Sequence, residues 1–165
     1  MTNGLRSFAA MALVIALAAV ATSAPVALSQ NGNRETFTLT SIDKKEKTAE
    51  VDSNGDGDSE DLGDRDAGGG PLFTGKNGKR AGTQRHDCVV TKASQNDVVL
   101  TCQGSFTIKG RGTIEASGWI KFTRQGGVRS RLAIVGGTRD FSGATGHIAF
   151  GGTNKTTTFE FHVTH

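Results

Sequence analysis

The sequence predicts an all-β fold, an antiparallel sheet curled into a barrel with a two-sheet sandwich as the alternative, and three observations carry this expectation. Nine short runs alternate apolar and polar residues with the period of two that a half-buried strand requires. Nowhere does the chain show the 3.6-residue apolar period of an amphipathic helix. Glycine is abundant and proline almost absent, 23 residues against 2, which suits closely spaced strands that bend at glycines.

The chain opens with Arg6, then FAAMALVIALAAVA and the small-residue stretch TSAPVALSQ. A basic start, a short apolar core and an A-x-A-like end read as a secretory signal peptide. Ala19-Val20-Ala21 and Ala27-Leu28-Ser29 put the cut between Ala21 and Gln30, so residues 1–29 are assigned to the leader and 30–165 to one domain. A retained anchor is the rival reading, but the run falls short of the roughly 20 apolar residues a span needs. The expected product is secreted and carries no membrane segment after cleavage.

Strands are expected over residues 35–42, 47–52, 71–75, 82–92, 96–109, 112–123, 127–137, 145–151 and 156–165. Between the second and third lies 52–70, expected as an acidic, glycine-rich loop. Asp52, Asn54, Asp56, Asp58 and Glu60 fall at alternating positions there, with Gly57 at the turn, like the start of a calcium loop. The twelfth position is Gly63 where a bidentate carboxylate belongs, and DRDAGGG cannot form an exiting helix. Weak calcium binding through Asp52, Asn54, Asp56 and Asp58 is retained as an alternative, and no other metal site is expected.

Charge divides along the chain. Asp52 to Asp66 holds seven acidic residues against Arg65 alone, whereas Ala67 to His165 holds thirteen Lys and Arg against five Asp and Glu. The basic residues are scattered singly and aromatics do not interleave with them, so no nucleic-acid partner is expected.

Two β-branched runs flank the polar stretch KASQND. A hairpin folded about Gln95 sets Ala93 against Asp97, Thr91 against Val99 and Cys88 against Cys102. Direct cross-strand partners come within reach of disulfide geometry, and export to an oxidising compartment favours the bond. Two free core thiols or a metal pair are the alternatives. Alternation then sorts the later strands: Leu100, Cys102, Gly104, Phe106 and Ile108 share one face, as do Ile114, Ala116, Gly118, Ile120 and Phe122. Leu132 and Ile134, and Phe159, Phe161 and Val163, continue this inward set, while nearly every charge points out.

His86 has the parity of Cys88 and Val90 and is expected opposite Gly104, with space in front of its ring. An imidazole in an apolar cavity can serve as a general acid or base; a hydrogen bond to a loop at the barrel mouth is the plainer role. No second inward titratable residue is legible. His147, His162 and His165 are expected on the surface. A Ser-His-Asp grouping, H-E-x-x-H, P-loop and dinucleotide fingerprint are all missing, and no cofactor is expected.

The stretch AIVGGTRDFSGATGHI, residues 133–148, is the most specific in the chain. Gly136 and Gly137 suit a tight exit from a strand, and Phe141 can plug a barrel end. The segment resembles the hydrophobic-G-G-T-G-x-F-x-x-A-x-G pattern of the dirigent and allene oxide cyclase barrel superfamily, especially its secreted bacterial members. Gly136, Gly137, Thr138, Phe141, Ala144 and Gly146 match in order. Arg139 stands where that family usually has glycine, a departure expected to alter the turn more than the fold. Gly63-Asp64-Arg65, GKRAGTQRHDCVV and CQGSFTIKGRGTIEASG add weaker similarity.

The resemblance implies an eight-stranded antiparallel barrel with a hydrophobic cavity, homo-oligomeric in plant relatives, which run cofactor-free cyclisations or steer coupling of phenolic intermediates. Their acidic and tyrosine site residues do not carry over: this chain has no tyrosine, and Glu115 and Glu160 point outward. The favoured expectation is therefore a secreted barrel that binds a small hydrophobic molecule through Phe106, Ile108, Ile120, Phe122, Leu132 and Ile134. The alternative is a cofactor-independent isomerase or cyclase, with His86 as proton carrier and Asp64 and Arg65 at the cavity mouth. A void reached by His86 and an acidic partner separates the two, favouring the second.

Overall fold

The structure, a computed structural model, describes residues 32–58, 60–123, 128–153 and 155–165. The expected signal peptide, residues 1–29, lies outside the described residues. Nine strands follow in order: β1 (Arg34–Ile42), β2 (Lys47–Val51), β3 (Arg65–Phe73), β4 (Arg80–Ala93), β5 (Asp97–Ile108), β6 (Gly112–Thr123), β7 (Val128–Gly137), β8 (Thr145–Thr153) and β9 (Thr156–Thr164). Neighbours along the sheet run β1-β9-β8-β7-β6-β5-β4-β3-β2, and a further β1–β3 pairing closes it.

Closure works because β1 and β2 are two halves of one bent strand. Thr40 and Ser41 of β1 pair with Phe73 and Leu72 of β3, and Lys47 to Val51 of β2 continue down the same strand against Gly69 to Arg65. A 3-10 turn at Asp43–Lys45 makes the bend. With two of the nine strands sharing one position, the sheet is an eight-stranded, antiparallel barrel with no long free edge among the described residues.

The alternation expected from the sequence is the burial pattern observed. Leu100, Cys102, Phe106 and Ile108 are buried on β5, and Ile114, Ala116 and Ile120 on β6. At one end the core is solid. Phe37 stacks on Phe161 at 4.7 Å, Phe106 meets Phe161 edge-on at 5.3 Å, and the fully buried Phe141 closes the floor. Arg111 lies 4.7 Å over the Phe141 ring while paired to Glu35 at 2.7 Å, so its cation is capped from both sides.

Two expectations are corrected. The third strand begins at Arg65 rather than at residue 71, so the acidic loop ends at Asp64 and the glycine run is sheet. Glycines are needed there because a methyl added at Gly68 would sit 2.9 Å from the Lys47 carbonyl oxygen, and one at Gly69 2.5 Å from that of Gln84. The hairpin turn is Ser94 to Asp97, closed by the Ser94 N–H donating to the Asp97 carbonyl at 2.9 Å. It is centred half a residue past Gln95, and a bulge after Val90 absorbs the difference, so Lys92 faces Val99 and Ala93 faces Val98. Above the bulge the expected register stands, with Cys88 opposite Cys102 and His86 opposite Gly104. Arg139, where the family pattern has glycine, adopts the left-handed conformation, at φ 56°, the region glycine occupies without penalty.

Candidate functional site

Above the aromatic floor the barrel is hollow. A cavity of about 230 Å³ is walled by Phe106, Ile120, Leu132, Phe150 and Phe159, by the Cys88–Cys102 disulfide, and on one side by Glu46, Asp66, Gln84 and His86. The cysteines are bonded as expected, with Cα atoms 4.1 Å apart.

The polar side is assembled by closure of the sheet. On β3, Asp66, Gly68, Gly70 and Leu72 share a face; on β4, Gln84, His86 and Cys88 share the facing one, with Gly68 opposite His86 and Asp66 opposite Cys88. Asp66 is therefore diagonal to His86, and its Oδ2 lies 3.3 Å from Nε2, the two side chains being 38% and 23% exposed. The other ring nitrogen, Nδ1, lies 3.2 Å from Gln84 Oε1, and Gln84 Nε2 donates to Glu46 Oε1 at 2.9 Å. Glu46, just past the bend between β1 and β2, also accepts from the Ser41 hydroxyl.

This chain of hydrogen bonds sets the proton on His86. A carboxylate can only accept, so Glu46 draws the Gln84 NH₂ toward itself and turns the amide oxygen toward Nδ1, which must then donate. Nε2 meets a second carboxylate. Both nitrogens thus face acceptors, the arrangement that suits an imidazolium. The His86 pKa is raised accordingly, first by the hydrogen bond to Asp66, against the opposing effect of burial, and further by the charges of Asp66, Glu46 and Asp87. Among the described residues no buried side-chain nitrogen or oxygen lacks a partner.

The structure does not bring Asp64 and Arg65 to His86. Asp64 is completely buried beneath the acidic loop. Its Oδ1 accepts from the Ser53 main-chain N–H and hydroxyl, both at 2.7 Å, and its Oδ2 from the Asp61 N–H at 2.7 Å. These bonds, the Ser53 main chain first, hold its carboxyl below the usual range. Arg65 points outward and pairs with Asp87 at 2.6 Å. The partner of His86 is instead Asp66, which sequence reasoning missed by placing it in a loop; extending the period of two back from Leu72 would have found it. The space in front of the imidazole also differs from expectation. Gly104 gives its room to the Phe106 ring, and it is Gly68 that abuts His86, an added methyl there lying 2.9 Å from the ring carbon Cε1.

Of the six residues expected around a ligand, Phe106, Ile120, Phe122 and Leu132 line the cavity. Ile108 and Ile134 do not, although both are buried: Ile108 faces Gly112, beyond the Phe106–Ile114 pair, and Ile134 faces Ala116. His147 and His162 lie outside the barrel as expected, stacked at 4.4 Å. In the acidic loop, Asp52 accepts from the N–H groups of Asn54, Gly55 and Gly57, and Asp56 and Asp58 each accept from the residue two further on. No group of three or more acidic, His or Cys side chains with metal-holding geometry occurs among the described residues. Gly63 N–H donates to the Val90 carbonyl and Val90 N–H to that of Asp64, at 2.9 and 2.8 Å. The loop is thereby tied to the open rim.

The sequence model of the allene oxide cyclase barrel-like domain matches residues 49–163, most of the chain. The chain belongs to this family. Solved structures similar to this allene oxide cyclase-like barrel include a pyocyanin demethylase, 23% identical over 78% of this chain and 99% of its own, with a TM-score of 0.62. A pterocarpan synthase dirigent protein is 17% identical over 81% and 89%, with a TM-score of 0.61. A Diels-Alderase from Streptomyces koyangensis is 16% identical over 80% and 63%, with a TM-score of 0.58. At these identities the likeness shows the fold alone. No functionally curated protein matches the chain by sequence.

Proposed function

We propose that this barrel is an isomerase or cyclase that relocates a proton on a small, mainly apolar molecule confined in the cavity, with His86 and Asp66 as the proton-handling pair. One observation carries the reading: a histidine–carboxylate pair, 3.3 Å apart, faces a cavity whose remaining wall is largely aromatic and aliphatic. Asp66 retains acceptor capacity beyond its bond to Nε2 and takes a proton from the bound molecule. His86 returns one at a second atom, and transfer from Asp66 to His86 restores the pair, so no proton is gained or lost overall. Glu46 and Gln84 hold the ring, and the aromatic wall confines the reactant near its reactive shape. Similar folds named as a Diels-Alderase, a pterocarpan synthase dirigent protein and a demethylase support small-molecule chemistry in barrels of this shape.

The runner-up reading is a binding barrel without turnover, favoured by one detail: both nitrogens of His86 are already engaged within the protein. A single experiment decides between them. Metabolite extract of the encoding organism, incubated with the protein in D₂O, is expected to yield an isomer of its precursor in which one hydrogen is replaced by deuterium. His86→Ala and Asp66→Asn are expected to abolish it. Equal conversion by these variants, or retention of an unchanged ligand by all three proteins, sinks the catalytic reading. We further propose that the barrel works after export, a reading supported by the Cys88–Cys102 bond.

A further inference from the structure

We propose that the outer face of the barrel carries a second ligand site, independent of the cavity, for a neutral oligosaccharide with one pyranose ring laid on the Trp119 indole. Trp119 is the only tryptophan of the chain and stands on β6 with 63% of its surface exposed. An isolated exposed ring is ordinary on a protein surface. This one walls a hollow of about 700 Å³, a size common among ligand sites.

Strand register builds the hollow. Arg131 faces Ala149 and Ala149 faces Glu160, and the β6–β7 pairs Ser117–Ala133 and Phe122–Val128 set Trp119 level with Arg131. One row across four strands thus reads Trp119, Arg131, Ala149, Glu160. All four lie outside, because their strand neighbours Ile120, Leu132, Ile148, Phe159 and Phe161 are buried inside. With neighbouring strands about 4.8 Å apart, the row is roughly 14 Å long, room for more than one sugar ring. Ala149 and Gly151 keep the floor low between the indole and the wall made by Thr158 and Glu160. The β6–β7 ladder also lapses here: among the described residues no pair joins the strands between Ser117–Ala133 and Phe122–Val128. The Ser130 hydroxyl bridges them instead, donating to the Trp119 carbonyl at 2.8 Å.

The lining selects the ligand. Arg131 only donates and an ionised Glu160 only accepts, and their charges cancel, so neither an anion nor a cation is favoured. Neighbouring sugar hydroxyls serve both, accepting from the guanidinium and donating to the carboxylate, and Thr158 adds a further partner. Glu160 Oε1 lies 3.0 Å from His162 Nε2, which leaves Oε2 for the ligand. A pyranose joins such hydroxyls to a C–H face that buries against an aromatic ring. A protein partner would need a broader apolar patch, yet of the large apolar side chains exposed among the described residues only Trp119 lines the hollow.

Because the chain has one tryptophan, its emission reads this site alone. Titration with chitotriose, cellotriose and maltotriose is expected to give a saturable change with at least one of them. By calorimetry, Trp119→Ala is expected to weaken that saccharide roughly tenfold or more. Ala149→Leu, which raises the floor and leaves the indole in place, is expected to weaken it as much. Both positions face outward, and the urea midpoint of each variant checks that the barrel is intact. No saturable response to any of the three, or an affinity unchanged in either variant, overturns the proposal. So does emission that changes with protein concentration instead of saccharide, since a second copy of the chain then covers the indole.

Discussion

Replacing Gly68 by alanine tests whether the glycine run of β3 exists to hold His86 in place. The added methyl would lie 2.8 Å from the Thr48 methyl, 2.9 Å from His86 Cε1 and 2.9 Å from the Lys47 carbonyl oxygen. Thr48 is exposed and can swing aside. Lys47 cannot, because it is paired to Gly69 in the ladder that fixes the bend of β1 and β2. The imidazole is therefore the group that gives way. Restoring ordinary carbon contact near 3.4 Å moves it about 0.5 Å, which stretches the 3.3 Å bond to Asp66 beyond hydrogen-bond range. Overpacking of this kind costs about 1–3 kcal/mol, and we expect about 2, since one of three contacts yields freely. That is less than the total stability of a typical domain, so the folded variant remains available for measurement. Urea unfolding reads the stability, and titration of the His86 ring protons by NMR reads the site. The pKa is expected to fall from its raised position toward the ordinary 6.5. Gly137→Ala is the control: its methyl would lie 2.4 Å from the Thr113 carbonyl oxygen and 2.7 Å from Phe141, at the solid end. It should destabilise comparably and leave His86 unmoved. If Gly68→Ala loses under about 0.5 kcal/mol with His86 unchanged, or if both variants shift His86 alike, the reasoning fails.

Asp66→Asn removes the largest cause of the raised His86 pKa, leaving Glu46, Asp87 and the Gln84 amide around the ring. A raised folded-state pKa contributes stability that is present in full below the ordinary 6.5 and lost as pH rises through the folded value. The gap in urea midpoint between wild type and Asp66→Asn should therefore narrow from pH 6 to pH 9; a constant gap would show that the pair carries no proton-linked stability. Reducing the disulfide, whose cysteines are 14 residues apart, should cost about 3 kcal/mol by the loop-entropy relation, read as a lower urea midpoint in reductant, and a loss under about 1 kcal/mol would refute that account. Arg139→Gly relieves a left-handed arginine, worth about 1–2 kcal/mol, against glycine's entropy of about 0.5–1 kcal/mol. A rise in Tm of about 2–4 °C is expected, and a fall would mean that the arginine side chain earns its conformation.

How much of this was legible beforehand depended on whether a feature is local or arises from closure. The parity of Leu100 to Ile108 and Ile114 to Ile120, the pairing of Cys88 with Cys102 and the meeting of His86 with Gly104 were all readable from the sequence. Strand alternation and hairpin register relate residues only a turn apart, and the chain encodes them directly. The Thr91 shift escaped because a turn centred between residues 95 and 96 and one centred on Gln95 differ by half a residue, which composition does not resolve. Closure decided the site. Asp66 reaches His86 only because β3 starts at Arg65 and packs against β4, and Glu46 reaches Gln84, 38 residues away, only because the chain bends between β1 and β2. Likewise, nothing along the chain marks Asp64 as the buried clamp of its loop. The sequence by itself determined which side of each strand faces inward. Tertiary structure decided which inward residues meet, and where the core stays open, because those depend on the stagger and bend with which the sheet closes on itself.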